Sequence, residues 1–228
     1  MKRLSIIVPV LNEATGIAAT LATLAPARAA GHEVIVVDGG SVDATVAAAS
    51  PHADRVIRAP RGRASQMNAG AAAARGDVLV FLHADTRLPA GATAWLAERL
   101  ASSGRAWGRF DVRIDGRHRL LAVVGLLMNL RSRVTGIATG DQAIFVQREA
   151  FRDLGGFPAL ALMEDVAFSA AAKRVSPPLS LRERVVTSGR RWESQGVLRT
   201  MMLMWWLRLR FFLGASPDRL ERIYHGRR

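Results

Sequence analysis

Cysteine is absent from this chain, which excludes disulfide bonds and thiolate metal sites and is typical of a protein in a reducing compartment. Long apolar runs are also lacking: a mostly apolar stretch at residues 119–134 falls below the roughly 20 residues that a membrane-spanning helix needs. No signal-peptide pattern is seen, because the first residues lead directly into a strand-like run. We therefore expect a cytoplasmic protein.

Tyrosine occurs once, and the chain has no basic low-complexity arm and no recognisable motif for reading nucleic acids. These absences matter because the formal net charge is +13, carried almost entirely by arginine and concentrated after residue 190. Such an excess predicts an anionic partner. A phosphate-bearing substrate or a membrane surface fits the sequence better than a nucleic acid, so no nucleic-acid partner is expected.

The chain does contain apolar runs that end on polar residues. Residues 78–82 are apolar without alternation, which is typical of a strand buried on both faces, and the run stops at His83 and Asp85. Ligands of open α/β sheets bind beyond the carboxyl ends of the strands. Asp85 is therefore a candidate binding residue, although capping of the helix that follows Pro89 would explain it equally well.

Three further strands are predicted earlier in the chain, at residues 4–10, 33–38 and 55–58. Each is followed by a helical pattern, from residue 12 to Pro26, at 43–49 with Ser41 as the N-cap, and at 64–75. In a chain of 228 residues that is 50% hydrophobic, this alternation predicts an α/β fold with a mostly parallel sheet flanked by helices.

The second half of the chain mixes element types. Residues 107–115 alternate between apolar and charged positions, which predicts an antiparallel or edge strand with Arg109 and Asp111 on a solvent-facing side. Glu164 and Asp165 open a helix that is expected to run to about residue 174. The remaining predicted elements are a helix at 119–134 and strands at 140–146 and 184–187.

Residues 199–213 combine Met, Leu, Trp and Phe with arginine. This composition suits a helix in a membrane interface, and equally a helix that packs on the sheet or in an oligomer interface. We therefore predict a domain at residues 1–195, followed at 196–228 by an amphipathic basic helical tail packed on the domain or at a membrane surface. The remaining histidines have no ligand spacing and are expected at the surface: His32, His52, His118 and His225.

Short polar motifs follow one another along this pattern, at strand ends and helix starts. They are SIIVPVLNE at 5–13, VDGGSVD at 37–43, GRASQMNAG at 62–70, LHADT at 82–86, GDQ at 140–142, GGF at 155–157, MEDV at 163–166 and GRRW at 189–192. Together they resemble family 2 glycosyltransferases with the nucleotide-binding GT-A fold. The histidine in LHADT, with GDQ downstream, is most similar to a bacterial subgroup described as arsenosugar-biosynthesis-like glycosyltransferases.

The resemblance implies transfer of a sugar from a nucleoside-diphosphate sugar to an acceptor hydroxyl or lipid phosphate, with inversion at the anomeric carbon. In such a reaction the nucleotide must be held and the departing diphosphate neutralised. The positions that match the family's donor site are Pro9, Asn12, Glu13, Asp38, Gly39, Arg61, Arg63, Gln66, His83, Ala84 and Asp85. UDP is the expected nucleotide, and GDP is the second choice.

Asp85 also matches the last carboxylate of the family's DXD motif, which implies a ligand to Mg²⁺ or Mn²⁺. One protein carboxylate is enough, because Mg²⁺ keeps several waters and commonly uses one or two carboxylates together with substrate phosphates. His83 stands where most relatives carry an aspartate. Its role is left open between a contact to ribose, a contact to the metal, and neither.

Asp165 matches the family's general base, and its neighbour Glu164 is a second candidate catalytic residue, because adjacent carboxylates can raise one another's pKa. The positions implied on the acceptor side are Asp141, Gln142, Arg191 and Trp192, the last of them equally expected in the core. The acceptor is unknown. The tail leaves a lipid-linked molecule open, with peripheral membrane contact at residues 199–214.

Two other classes of function remain open at this point. A nucleotidyltransferase shares the sheet and a metal carboxylate, but it would leave Glu164 and Asp165 without a role. A non-catalytic basic module would bind membranes or nucleic acids through charge alone. A dehydrogenase is disfavoured because no G-x-G-x-x-G motif follows the first strand.

Overall fold

The computed structural model describes residues 2–226, so Met1, Arg227 and Arg228 of the predicted domain and tail lie outside the described residues. Its strands are β1 (Leu4–Val10), β2 (Glu33–Asp38), β3 (Arg55–Arg58), β4 (Val78–Phe81), β5 (Thr86–Arg87), β6 (Trp107–Asp115), β7 (Phe145–Gln147) and β8 (Leu179–Ser188). They form one eight-stranded sheet in the order β3-β2-β1-β4-β7-β6-β8-β5.

The helices lie on both faces and at one end of this sheet. They are α1 (Ile17–Ala22), α2 (Ala25–Ala29), α3 (Thr45–Ala49), α4 (Arg63–Ala73), α5 (Ala92–Ser102), α6 (Leu120–Thr135), α7 (Arg148–Asp153), α8 (Glu164–Val175), α9 (Arg190–Gln195), α10 (Val197–Phe212) and α11 (Pro217–Tyr224). Short 3₁₀ turns occupy Ser50–His52 and Gly140–Gln142.

The first half of the sheet is parallel, as its apolar runs predict. Strand β1 pairs in parallel with β2 and β4, β2 pairs in parallel with β3, and every residue of β1 and β2 is buried. Helix α4 lies so close to these strands that a Cβ atom on Gly70 would sit 2.4 Å from Cγ2 of Ile7. Glycine at this position therefore permits close packing rather than interrupting the helix.

The second half brings a different part of the chain to the same sheet edge. Strand β7 runs antiparallel between β4 and β6, so its beginning lies beside the end of β4. The amide of Phe81 at the end of β4 donates to the carbonyl of Ile144, just before β7 (2.9 Å). The turn Gly140–Gln142 is thereby held next to the residues that follow β4.

The expectation of a solvent-facing side on β6 is wrong for Arg109 and Asp111, which are 0% and 7% exposed. Strand β6 is an inner strand, with β7 on one side, β8 in parallel on the other and α6 packed against it. Asp111 accepts hydrogen bonds from Arg109 and from Arg133 of α6, the latter at 2.6 Å. These opposite charges are buried as an ion-paired group, within which Nε and Nη2 of Arg109 have no hydrogen-bond partner among the described residues.

Three local expectations are also wrong. Pro26 lies in the first turn of a second short helix, α2, instead of ending one long helix. Ser41 does not cap α3, since its hydroxyl accepts a hydrogen bond from the amide of Asn12 (2.9 Å). His32 is buried rather than at the surface, and its Nδ1 accepts from the amide of Leu4 (3.2 Å).

The C-terminal helices α10 and α11 fold back onto the chain that leads into α8. A small apolar cluster joins them there: Ile137, Leu162, Met163, Val166, Leu207 and Leu220. Gly196, with φ +87°, separates α9 from α10, so the predicted division after residue 195 falls between two helices, and the division itself stays a prediction. Within residues 2–226 no helix combines the length and the apolarity needed to cross a membrane.

Candidate functional site

A cleft of about 520 Å³ opens beyond the carboxyl ends of β1 and β4. Eight residues of the predicted donor site line it, together with one catalytic and one acceptor-side candidate: Pro9, Glu13, Arg61, Arg63, Gln66, His83, Ala84, Asp85, Glu164 and Arg191. They come from distant parts of the sequence because the parallel strands end at one edge of the sheet. The edge therefore presents both acidic and basic groups to a single space.

Asp85 is held in place by its neighbours in the chain. Its carbonyl accepts a hydrogen bond from the amide of Ser188 (3.2 Å), and the hydroxyls of Thr86 and Thr187 bond to each other across β5 and β8 (2.9 Å). The Asp85 carboxylate is half-buried, lines the cleft, and receives no hydrogen bond from any described residue. Its oxygens are thus free to bind something that enters the cleft.

This carboxylate fits the expected divalent cation. Mg²⁺ and Mn²⁺ take hard oxygen ligands, and phosphates and water can complete the coordination around a single carboxylate. No cluster of three or more His, Cys, Asp or Glu side chains suited to a metal occurs among residues 2–226. Asp85 would therefore hold the ion only together with a bound diphosphate.

His83, two residues before Asp85, contacts the turn that precedes β7. Its Nδ1 lies 3.3 Å from Oδ1 of Asp141, and a Cβ on Gly140 would sit 2.4 Å from its Nε2. Burial opposes the charge of Asp141, but His83, Arg63 and Arg208 together outweigh it and lower the pKa of this carboxyl. These contacts of His83 thus hold the Asp141 turn next to the end of β4.

Glu164 and Asp165 begin α8, directly after Met163, whose backbone has φ +69°. The two oxygens of Asp165 accept hydrogen bonds from the amides of Gly140 and Val166, both at 2.7 Å. Glu164 is 5% exposed, and its burial, with the charge of Asp165, raises its pKa to about 7. Near neutral pH Glu164 is therefore present both with and without its proton.

Arg63 opens α4 and points its charge toward the acidic side of the cleft. Nearby protein atoms partly desolvate its guanidinium group, which disfavours the charge, but Tyr224, Glu164, Asp141 and Asp165 outweigh this effect and raise its pKa. Its side chain nevertheless remains exposed, as expected for a group that lines an open cleft. Arg61 is also exposed and lines the same cleft. Both guanidinium groups can reach a phosphate placed there.

Asn12 and Asp38 do not line the cleft but brace the loops at its edge. Asp38 is buried, and its carboxylate accepts hydrogen bonds from the amides of Gly40 (3.1 Å) and Ser41 (3.0 Å). Asn12 accepts through Oδ1 from the amide of Val42 (3.0 Å). The Asp38 bonds hold the loop after β2 against the end of its own strand, and the Asn12 bond joins the loop after β1 to it.

Gln66 and Gly39 connect the same loops to α4. Nε2 of the buried Gln66 donates to the carbonyls of Val10 (2.9 Å) and Val37 (2.8 Å), near the ends of β1 and β2. A Cβ on Gly39 would lie 2.9 Å from Cδ of Gln66, so a glycine there leaves room for the amide. This part of the predicted donor site shapes the cleft floor.

The acceptor-side candidates lie in different surroundings. Asp141 and Trp192 line a second, largely apolar groove beside the cleft, whereas Arg191 lines the cleft itself. Gln142 is fully buried, and its Oε1 accepts a hydrogen bond from the amide of Thr139 (3.2 Å) at the turn before β7. Gln142 therefore supports the Asp141 turn from within.

Helix α11 and the residue that follows it contribute groups to the cleft that the motifs do not reveal: Glu221, Tyr224 and His225. Arg191 joins this helix to the cleft, because its Nη2 donates to the carbonyl of Tyr224 (2.9 Å) and its guanidinium lies 3.6 Å from the centre of the Tyr224 ring. The Ser216-Pro217 pair is a typical helix start and is the signal from which α11 could have been found.

Residues 5–148 match the family model described as Glycosyl transferase family 2. The match covers more than half of the sequence, so the chain belongs to this family. Among curated proteins, uncharacterised glycosyltransferases of Mycobacterium tuberculosis and Mycobacterium bovis are 34% identical over 88 residues. That alignment covers 38% of this chain and 38% of each relative, so this chain matches about two fifths of their length.

Solved structures share the architecture. The mannosyltransferase PcManGT from Pyrobaculum calidifontis, in complex with GDP-Man and Mn²⁺, aligns with a TM-score of 0.67 and 24% identity over 98% of this chain and 68% of that one. Glucosyl-3-phosphoglycerate synthase from Mycobacterium tuberculosis, with Mn²⁺, UDP and phosphoglyceric acid, aligns with a TM-score of 0.60 and 21% identity over 82% and 69%. The fold is therefore the GT-A fold.

Proposed function

We propose that this chain transfers a sugar from a nucleoside-diphosphate sugar to an acceptor oxygen, with inversion at the anomeric carbon. The observation that carries the proposal is that Asp85 and Glu164 line one cleft, while Asp165 lines a small adjoining cavity that Glu164 also borders. Metal binding and proton transfer would thus take place side by side. Similar solved structures contain GDP-Man, UDP-GlcNAc or UDP, and UDP remains our first choice of nucleotide.

The donor would lie with its diphosphate between Asp85 and the two arginines of the cleft. A divalent cation held by Asp85 would supply Lewis-acid neutralisation of the leaving diphosphate. Arg61 and Arg63 present guanidinium groups, which pair well with phosphate oxygens. The loops braced by Asn12, Asp38 and Gln66 would set the width of the nucleoside pocket.

Asp165 is the proposed general base, taking the proton of an attacking hydroxyl on the face of the sugar opposite the diphosphate. Glu164, whose pKa is raised to about 7, would be protonated for much of the time and so limit the negative charge beside Asp165. Asp165 keeps its orientation through the amides of Gly140 and Val166. Asp141, which His83 contacts, would lie on the acceptor side.

We further propose that α10 rests on the inner face of a membrane. Several of its large apolar side chains are exposed: Leu198, Met202, Trp205, Trp206, Leu209 and Phe212. Arg199 and Arg210 on the same helix would pair with anionic headgroups. The likeness to the arsenosugar-biosynthesis-like subgroup also remains a proposal, supported by the LHADT and GDQ motifs.

A thermal-shift screen against UDP, GDP, dTDP and CDP, with and without Mn²⁺, tests the donor site, because a ligand that binds the folded state raises Tm. We expect one nucleotide to raise Tm in the presence of Mn²⁺. The shift should disappear in Asp85→Asn and persist in Asp153→Asn, a control in which the altered side chain is 73% exposed.

Failure of all four nucleotides, or an unchanged shift in Asp85→Asn, would overturn the proposal. A shift with nucleoside triphosphates and none with diphosphates would favour the nucleotidyltransferase alternative.

A further inference from the structure

A groove of about 420 Å³ runs between α6 and α10, next to the donor cleft. Apolar side chains make up most of its wall: Val124, Leu127, Met128, Leu130, Val134, Trp192, Met201, Met204 and Trp205. Further apolar side chains are exposed on the outer side of α6, namely Val123 and Leu126, at 48% and 64%. The groove is thus continuous with an apolar surface formed by both helices.

Two arginines, Arg131 of α6 and Arg208 of α10, stand among these apolar groups. Nε and Nη2 of Arg131 and Nε of Arg208 are buried and have no hydrogen-bond partner among the described residues. Burial, and then the like charge of Arg208, lowers the pKa of Arg131 to about 10. Buried cationic nitrogens without partners are costly unless an anion compensates them.

Arg208 also connects the groove to the proposed catalytic groups. It lines the small cavity of about 70 Å³ that contains His83, Glu164 and Asp165. Asp141 borders both the groove and this cavity. An anion bound by the two arginines would therefore lie beside the place where the sugar is transferred.

We propose that this groove binds a lipid monophosphate as the acceptor, with its hydrocarbon chain along α6 and α10 and its phosphate on Arg131 and Arg208. The proposal rests on the proposed glycosyltransferase function and specifies its acceptor. The apolar wall favours binding of a hydrocarbon chain, and the paired guanidinium groups favour binding of a phosphate. A free phosphate would satisfy the arginines but leave the apolar wall in contact with water.

The transfer balances with this acceptor. A phosphate oxygen forms a bond to the anomeric carbon, the bond from that carbon to the donor diphosphate breaks, and its electron pair leaves on the nucleoside diphosphate. A phosphate monoester has a second pKa of about 6, so near neutral pH the attacking oxygen mostly carries no proton. When it does carry one, Asp165 takes it, and Asp165 orients the Gly140 amide in either case.

The test measures binding of farnesyl monophosphate by isothermal titration in the presence of the nucleotide and Mn²⁺. Farnesol supplies the chain without the phosphate, and inorganic phosphate supplies the headgroup without the chain. We expect both to bind at least about 10-fold more weakly than farnesyl monophosphate, since hydrogen bonds to charged groups and burial of the chain each contribute.

The variants Arg131→Gln and Arg208→Gln should each weaken binding of farnesyl monophosphate by about 10-fold or more, because each removes a charged donor. Arg219→Gln is the control, since Arg219 is exposed on the neighbouring helix α11 and does not line the groove. It should bind within about 2-fold of wild type, as expected for an exposed charge. An unchanged nucleotide-induced rise in Tm shows that each variant is folded.

Equal affinity for farnesol and farnesyl monophosphate, or unchanged binding in both arginine variants, would overturn the lipid-phosphate site. If instead the arginines prove essential while no nucleotide binds, the groove assignment stands and the donor proposal fails. If nucleotides bind as expected but the arginines have no effect, only the acceptor assignment fails.

Discussion

The donor cleft and the groove between α6 and α10 lie side by side, but they are built differently. Polar groups of the cleft stand on loops after parallel strands, and they face opposite charges or backbone partners, as Arg63 faces Glu164, Asp141 and Asp165. In the groove, Arg131 and Arg208 lie on helices among apolar side chains, and several of their nitrogens have no hydrogen-bond partner within the described residues, although the charges of Asp141 and Asp165 act on both arginines. The polar groups of the cleft are thus paired before a ligand arrives, whereas the proposed ligand of the groove would supply hydrogen bonds that its arginines lack.

The largest effect is expected where the two regions meet. Asp165→Asn should lower the rate of transfer at least about 100-fold for a hydroxyl acceptor, because an amide cannot accept the proton of the nucleophile. For a phosphate acceptor, which mostly carries no proton near neutral pH, the loss should be smaller and should come from the two backbone hydrogen bonds, which an amide cannot both accept. Nucleotide binding in the thermal-shift assay should be unchanged. The measurement is kcat with any acceptor that the wild type uses, with Asp153→Asn as the control. Turnover near that of the wild type would remove Asp165 from the mechanism.

The next effect concerns the pH dependence of stability. The pKa of Glu164 is raised to about 7 in the folded protein, from an ordinary value of 4.5. Between these two pH values Glu164 therefore binds its proton more fully in the folded state than in the unfolded state. The contribution of Glu164 to stability is therefore present below this window and is lost as the pH rises through it. Glu164→Gln should be more stable than wild type near pH 8, by up to about 3 kcal/mol, and similar near pH 4.5.

Thermal melts across this range would measure the difference, at roughly 2–4 °C per kcal/mol for a chain of this size. Glu98→Gln, which alters an exposed glutamate on α5, should show no such pH dependence. A constant offset between wild type and Glu164→Gln at every pH would show that titration of Glu164 does not determine stability.

A smaller loss of stability is expected from a substitution in the half of the sheet that carries the cleft. Gly70→Ala places a methyl group 2.4 Å from Ile7 and 3.0 Å from Val37, so α4 must move away from the sheet, and we expect a loss of about 1–3 kcal/mol. Gly16→Ala is the matched control, because nothing lies within 4 Å of its added methyl group. Urea unfolding of both variants measures the cost. Equal stability of Gly70→Ala and wild type would mean that the packing of α4 on β1 is looser than described.

The sequence predicts the cleft better than the groove, for a physical reason. Apolar runs such as residues 4–10 and 33–38 mark buried parallel strands locally, and the polar residues after them must meet at one edge. The burial of Arg109 and His32 depends on which strands and helices pack around them, which no local pattern states. The position of Arg208 beside Asp165 likewise depends on how α10 folds back onto α8.

Strand β7 runs against β4, so the stretch of chain beside the end of β4 is the one that arrives from α6. The half of the sheet that carries the proposed nucleotide site, by contrast, is complete before α6 begins. Insertions in α6, or changes in its length, can therefore alter the proposed acceptor site while the proposed nucleotide site stays unchanged. In this way, proteins built on the same sheet edge could acquire new acceptors during evolution and keep the same sugar donor.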